Sequence, residues 1–320
     1  MRIVFVICAM LSFSVSALPI VTDVAAKQRY PWNGLVDITV TLSGTEEECA
    51  AATFPFYATN RTTRAELLVR NVKPAGAVAG AGNTWTRRFV WNATADVGCA
   101  KFGEVELTIG SPSIGVQLWE NGPYWAECNV GAKQPEECGY YFWWGDAVGC
   151  MRNANNDGWI SVRDSTSYSF NDCPTYLKYS SQLQSEGYID TTGNLVAAHD
   201  AATTYFGTPW RMPTGDDLGA LTKNCTTIWT TRNGVAGRLV TGKGDYASKS
   251  IFLPAAGIGY GSNLADFGLS GNYLSGEESP DSRYARYLYF SNSSDLWHRV
   301  SNWDSRNAGQ SVRPVRGFAQ

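Results

Sequence analysis

The sequence predicts an all-β, immunoglobulin-like domain over residues 18–112, followed by an α+β domain over residues 113–320. Three observations lead there. In the first part, short runs of β-branched and aromatic residues are separated by Gly, Asn and Pro clusters, with no helical pattern between them. Gly110-Ser111-Pro112-Ser113 then reads as a turn-forming linker. Beyond it, two helical patterns stand among short strands and irregular loops.

Ahead of both domains, residues 1–17 read as an export signal. Arg2 gives a positive start, Ile3 to Phe13 an apolar run, and Val15-Ser16-Ala17 the small residues after which signal peptidase cuts. The apolar run is shorter than the roughly 20 residues that cross a bilayer. No later segment approaches that length, so no membrane span is expected. Cleavage after Ala17 would remove Cys8 and leave Cys49, Cys99, Cys128, Cys138, Cys150, Cys173 and Cys225, an odd number. At least one thiol would then be free, metal-bound or intermolecular. Spacing does not fix the pairing. Cys49 and Cys99 both lie among strands of the first domain and form a candidate disulfide.

Within that domain, Leu35–Leu42 is rich in β-branched residues and alternates in part, and runs at Ala65–Arg70, Trp85–Trp91 and Glu104–Ile109 repeat the pattern. In the second domain, Asn194–Phe206 carries Leu195, Ala198, Ala202 and Phe206 at helical spacing. Thr214 stands three residues before Asp217, a capping-box start for a helix running to about Lys223. From Ile251 onward only short strands and Gly-rich turns are expected.

Several segments carry a family resemblance. Leu118-Trp119-Glu120, Tyr124–Ala132 and Gly139–Gly145 open the second domain; Trp210–Thr214, Ile251–Gly257 and Gly309–Gly317 follow. Together they resemble the Fibrobacter succinogenes major paralogous domain, over roughly residues 118–317. That resemblance implies a secreted bacterial module with a C-type-lectin-like fold, similar to that of formylglycine-generating enzymes. It implies a binding surface rather than a ligand. Formylglycine-generating oxidases use a late pair of cysteines, and here no cysteine follows Cys225. The fold is expected without that activity.

Composition narrows the partners. The net charge of −3 comes without a basic stripe, which argues against nucleic acid and anionic membrane. With 12 Trp and 16 Tyr against only 17% charged residues, the chain suits carbohydrate or protein contact. Most of these rings are needed simply to fill β-rich cores. The only histidines are His199 and His298, and neither a Gly-x-Ser-x-Gly elbow nor a His-Glu-x-x-His pair occurs. No enzyme is expected. His199, on the predicted helix beside Asp200, reads as a packed or capping residue.

One loop has metal-binding character. Asn153–Asp164 resembles a twelve-residue calcium loop, with Asn153, Asn155, Asp157, Ser161 and Asp164 at positions one, three, five, nine and twelve and Gly158 at six. Asn replaces the usual Asp at position one, and Asp replaces the bidentate Glu at twelve. An Asn/Gly-rich surface turn has the same composition. No cofactor is expected, and weak Ca2+ binding is the one candidate. The Glu-Pro-Asn and Gln-Pro-Asp tripeptides of calcium-dependent lectins are absent.

The candidate ligand surface is the segment from Tyr284 to Asn307. Tyr284, Tyr287 and Tyr289 predict a strand with its tyrosines on one face. The following residues mix Trp, Arg and short polar side chains, as interface loops do. Buried plugs under a long loop are the competing reading of its two tryptophans. The expected ligand contacts are Tyr273, Trp297, His298, Arg299, Trp303, Asp304, Arg306 and Asn307. Arg211, Arg313 and Arg316, inside the family segments, read instead as structural forks tying loops together. The function these readings give is a non-catalytic exported protein that binds a glycan or protein ligand. A structural surface component is the alternative, and an enzyme using His199 or His298 a more distant one.

Overall fold

The alternation across Leu35–Leu42 becomes a nine-residue strand in which every second side chain is buried. The computed structural model describes residues 18–31, 33–64, 66–67, 69–97, 105–110, 113–293 and 299–317. The export signal, Cys99 with its candidate disulfide, and residues 111–112 of the linker lie outside these. The described chain is mostly sheet with few helices, about 14% helical.

Residues up to 110 build two antiparallel sheets. Strands β1 (Ile20–Gln28) and β2 (Leu35–Ser43) lead into helix α1 (Glu46–Ala51). Strands β3 (Phe56–Asn60), β4 (Glu66–Leu67), β5 (Val72–Pro74), β6 (Ala79–Ala81) and β7 (Thr84–Asn92) follow, then α2 (Ala93–Val97) and β8 (Val105–Ile109). One sheet runs β1-β2-β7-β5, with β6 also on β7; the other runs β4-β3-β8. Ile38, Val40 and Leu42 from the first sheet and Ala58, Phe56 and Leu107 from the second share one apolar cluster. Phe89 meets the rings of Phe54 and Phe56 edge-on. The four sequence runs therefore fall on β2, β4, β7 and β8, although among the described residues of the Ala65–Arg70 run only Glu66 and Leu67 are in a strand.

The remainder has its own three apolar clusters, drawn from residues 116–315. It begins with β9 (Val116–Gln117), β10 (Tyr124–Trp125), β11 (Cys150–Arg152) and β12 (Trp159–Ser161). Helices α3 (Ser180–Ser185), α4 (Ala201–Phe206) and α5 (Gly215–Asn224) come next. Strands β13 (Thr226–Arg232), β14 (Val235–Thr241) and β15 (Ser250–Pro254) form one sheet. A hairpin of β16 (Ile258–Tyr260) and β17 (Asn263–Ala265) leads to a sheet of β18 (Ser270–Glu278), β19 (Tyr284–Ser291) and β20 (Arg299–Ser305). Strand β21 (Val315–Arg316) then pairs with β10, so residues 315–316 close the unit against its beginning.

The two helical expectations fare differently. Thr214 caps α5 as a capping box: its hydroxyl accepts from Asp217 N at 3.1 Å, and the Asp217 carboxylate accepts from Thr214 N at 2.8 Å. The helix expected over Asn194–Phe206 begins only at Ala201. Asn194 and Leu195 are extended instead; Leu195 N donates to Gly276 O at 2.8 Å, and Asn194 bridges Glu277. Asp200 sets the start instead, capping α4 at Thr203 N and accepting Met212 N with its second oxygen. Tertiary pairing overrides the helical spacing here.

Irregular loops leave carbonyls without ladder partners, and buried arginines take them up. Arg313, 1% exposed, donates to the carbonyls of Ala126, Glu127 and Phe252 and to Asn129 Oδ1. Arg316 reaches Ile114 O at 2.7 Å and lies 4.1 Å from the Tyr124 ring centroid. Arg211 binds Asp217 at 2.6 Å. Arg313 and Arg316 tie loops together, as expected of them, whereas Arg211 is part-exposed and serves the Thr214–Asp217 cap of α5. Arg87 on β7 donates to the carbonyls of Cys49, Ala50 and Ala52 at the end of α1, and to Phe206 O at the end of α4. A cation is favoured at both helix ends. The same contacts tie the N-terminal sheets to the rest of the chain.

Two outcomes follow. Arg313→Ala should lower unfolding free energy by about 3–5 kcal/mol, because the acceptors it leaves behind are buried; urea denaturation measures this. Thr214→Ala should cost about 1 kcal/mol in the same assay, the ordinary value of an N-cap.

Candidate ligand-binding surface

The site is built on the sheet β18-β19-β20. Ala285, Leu288 and Phe290 of β19 are buried, whereas Tyr284, Tyr287 and Tyr289 are each half-buried. Tyr287 and Tyr289 alternate with the buried Leu288 and Phe290 as one face should, whereas Tyr284, three residues from Tyr287, falls out of that alternation. Strand β20 lies at the sheet edge and pairs with β19 through Tyr289–Arg299, Leu288–Val300, Tyr287–Ser301, Ala285–Asp304 and Tyr284–Ser305. The register slips between Ala285 and Tyr287, so Asn302 and Trp303 sit in a bulge. Arg299, Trp303 and Asp304 belong to this edge strand, and their side chains lie outside what the structure describes. Trp297 and His298 lie wholly outside the described residues.

Two expected contacts are corrected. Tyr273 is 1% exposed: its hydroxyl donates to Pro254 O at 2.9 Å and its ring stacks on Phe290. It lies on β18, whose inward residues complete the central apolar cluster, so no ligand reaches it. Arg306 is equally buried. Its Nε donates to Tyr284 O at 2.9 Å, one terminal nitrogen to Thr175 O and Lys178 O, and the other to Ser279 O. The guanidinium also packs over Trp144 at 4.7 Å. Asn307 is half-buried, and its Oδ1 accepts from Ser305 Oγ.

Arg306 nevertheless shapes the surface. The loop it ties down, residues 175–179, carries Tyr176, Leu177 and Tyr179, all exposed, with Tyr179 at 66%. Leu177 N donates to Ser282 O, which fastens this loop to the turn before β19. There Arg283 stacks over Tyr284 at 5.0 Å and pairs with Asp281 at 2.7 Å. The Arg283 guanidinium holds the Asp281 carboxyl down to about 2.

A second exposed apolar patch stands where β19 ends. Asn292 N donates to Leu269 O at 3.0 Å, and Arg238 on β14 donates to the carbonyls of Ser291 and Ser293. Beside this anchor Tyr260, Phe267 and Leu269 are exposed, Phe267 at 58%. The late segment is thus fastened by buried arginines at two places, Tyr284 at its start and Ser291–Ser293 at the end of β19, and exposed rings stand near both. Sequence reading missed these rings, which sit singly between Gly, Asp, Lys and Ser in turns. Only a run such as Asp266-Phe267-Gly268-Leu269, an apolar pair inside a turn, hints at them.

The calcium-like segment is not one loop. Asn153, Asn155 and Asp157 lie in the turn of the β11–β12 hairpin, where Asn153 Nδ2 donates to Asp157 Oδ1 at 2.7 Å. Strand β12 intervenes before Asp164, which accepts from the Thr166 amide and hydroxyl in a separate turn. Those hydrogen bonds hold the Asp164 carboxyl below its usual value. Among the described residues, no group of three or more His, Cys, Asp and Glu is placed to hold a metal ion. None of their helices is long and apolar enough to cross a membrane.

His199 packs as expected, its ring 4.1 Å from that of Tyr188 and its Nδ1 3.2 Å from Gly145 O. The neighbouring Asp200 carboxylate is committed to capping α4. A cavity of 230 Å3 opens between the N-terminal sheets and the later unit, lined by Phe54, Phe56, Val72, Tyr140, Phe206 and Cys128 among others. Burial pushes the Cys128 thiol up to about 11, so it is protonated at neutral pH.

No known protein decides the reading. No family model, curated protein or solved structure matches this chain.

Because Arg306 holds the 175–179 loop from beneath, Arg306→Ala should speed amide hydrogen exchange at Leu177 and Lys178 by at least about tenfold. Exchange across β2 and β7 should stay unchanged. Mass spectrometry of the exchanged chain reads both.

Proposed function

We propose that this chain is an exported, non-catalytic binding protein. An immunoglobulin-like N-terminal unit would carry a C-type-lectin-like unit that contacts a glycan or protein ligand through its late aromatic and polar segment. Two antiparallel sheets around a shared core support the first assignment. Few helices and many irregular loops, together with the segments resembling the Fibrobacter major paralogous domain, support the second. Export rests on the pattern of residues 1–17.

The observation that carries the binding reading is the anchoring of the late segment. Arg306 holds Tyr284 at its start and Arg238 holds Ser291 and Ser293 where β19 ends, with exposed apolar side chains near both anchors. Exposed apolar side chains that group into a patch often mark a site of interaction. Rigid aromatics contact a ligand at little entropic cost. Trp297 and Trp303 would supply stacking; His298, Arg299, Asp304 and Asn307 would supply hydrogen bonds. The modest negative charge, without a basic stripe, supports neither nucleic acid nor an anionic membrane as partner.

An array of host and plant glycans with mucin, probed with the full chain, tests this. The expected result is a reproducible hit weakened about tenfold or more by Trp303→Ala or Trp297→Ala. The same hit should survive EDTA, since binding is proposed to need no metal. A hit indifferent to both tryptophans would overturn the late segment as the contact surface.

A further inference from the structure

We propose that the groove between the Asn153–Gly158 turn and the β16–β17 hairpin is a subsite for a neutral hexose oligosaccharide. This rests on reading the C-terminal unit as a binding module. The groove measures 470 Å3 and is lined by Tyr141, Arg152, Asn156, Asn263, Leu264 and Phe267. None of these residues was legible as a ligand contact.

Its walls are two separate hairpins, and one side chain sets their spacing. Arg152 Nε donates to Asn156 Oδ1 at 2.8 Å, and a terminal nitrogen donates to Asn156 O. The other terminal nitrogen crosses to Ser262 O at 2.6 Å on the facing hairpin. The guanidinium lies 4.8 Å from the centroid of buried Trp159, which fixes its height. The walls are therefore held apart before any ligand arrives, which reduces the ordering cost of binding.

The lining matches the two faces of a pyranose. Phe267 presents an exposed ring for the apolar C–H face of the sugar. Asn156 Oδ1 is taken by Arg152, which leaves its amide nitrogen as a donor at the groove. Among the described residues the Asn263 carboxamide makes no hydrogen bond and offers both a donor and an acceptor. Neighbouring hydroxyls on a sugar need that combination. Arg152 is the only charged residue in the lining, and three of its five N–H groups already donate to neutral protein oxygens. A basic sugar finds no carboxylate there, and the contacts left for a ligand are mainly a ring and carboxamides, which suit neutral hydroxyls.

The groove also adjoins the late segment. Phe267 lies two residues before Leu269, whose carbonyl accepts Asn292 N at 3.0 Å. A chain of several hexoses would run from the groove towards that segment.

Calorimetry on the full chain tests this with neutral gluco-, manno- and galacto-hexaoses, α- and β-linked, and oligogalacturonate for comparison. One or more neutral hexaoses should bind, and Phe267→Ala and Asn263→Ala should each raise its Kd about tenfold. Both residues are exposed, so Tm should not change. Binding that falls with Trp303→Ala but not with Phe267→Ala would overturn the groove and leave the late segment as the binding face. Preference for oligogalacturonate, or no neutral hexaose bound, would overturn the neutral-sugar subsite. Neither result would touch a protein ligand on the late segment.

Discussion

Buried arginines donating to loop carbonyls are the interaction on which this molecule depends. Arg87, Arg238, Arg306, Arg313 and Arg316 are each at most 5% exposed. Sheets and helices satisfy their own backbone, but the long connections of the C-terminal unit do not. A guanidinium brings five donors in a fixed plane, so one residue can close several carbonyls belonging to distant loops. Burial pulls the pKa of each below its ordinary value, to about 10 for Arg87. The charge persists at neutral pH, and its desolvation is offset mainly by neutral carbonyls. Carboxylates stand further off, Glu278 and Glu47 each at 4.0 Å.

That arrangement explains which parts of the chain could be read in advance. Local rules succeeded where the structure is local: the alternation of β2, and the Thr214–Asp217 cap of α5. Gly257 in the Ile251–Gly257 segment also follows a backbone rule, with φ at +68° and the site of a Cβ 2.2 Å from Ala265 O. Reading failed where long-range contacts decide. Arg306 sits among Asn, Asp and Ser in a segment composed like an interface loop, and nothing local reveals that Trp144 and four carbonyls enclose it. Tyr273 looks like the half-buried tyrosines of β19 because sequence does not say which strand face meets β15. The Asn194–Phe206 pattern is helical in spacing, yet its first residues pair with β18.

The candidate surface has the same physical origin. Arg306 faces inward while the tyrosines of the loop it holds face solvent, so a position expected to touch ligand acts through its neighbours. Arg152 plays a similar part at the surface, spanning two hairpins that no ladder joins. The ties between the N-terminal sheets and the later unit are also to backbone: Trp210 Nε1 to Ala51 O at 2.7 Å, and Asn71 Nδ2 to Val162 O at 2.9 Å. They use none of the groove or late-segment residues. The proposed binding surfaces and these ties therefore draw on different side chains, and one can change without the other.

The closing pair β10–β21 bears on the order of assembly. Arg313 follows its partner Asn129 by 184 residues, and Arg316 follows Ile114 by 202. A chain made from its N-terminus has the first sheets complete long before these arginines emerge. Until then the carbonyls of Ala126 and Glu127 lack Arg313, and Trp125 has β9 beside it but not β21. Such distant contacts make folding slow, because a long loop must close before they can form. Under the export proposed above, this delay would keep the C-terminal unit unfinished, and threadable through a membrane pore, until nearly all of it had been made.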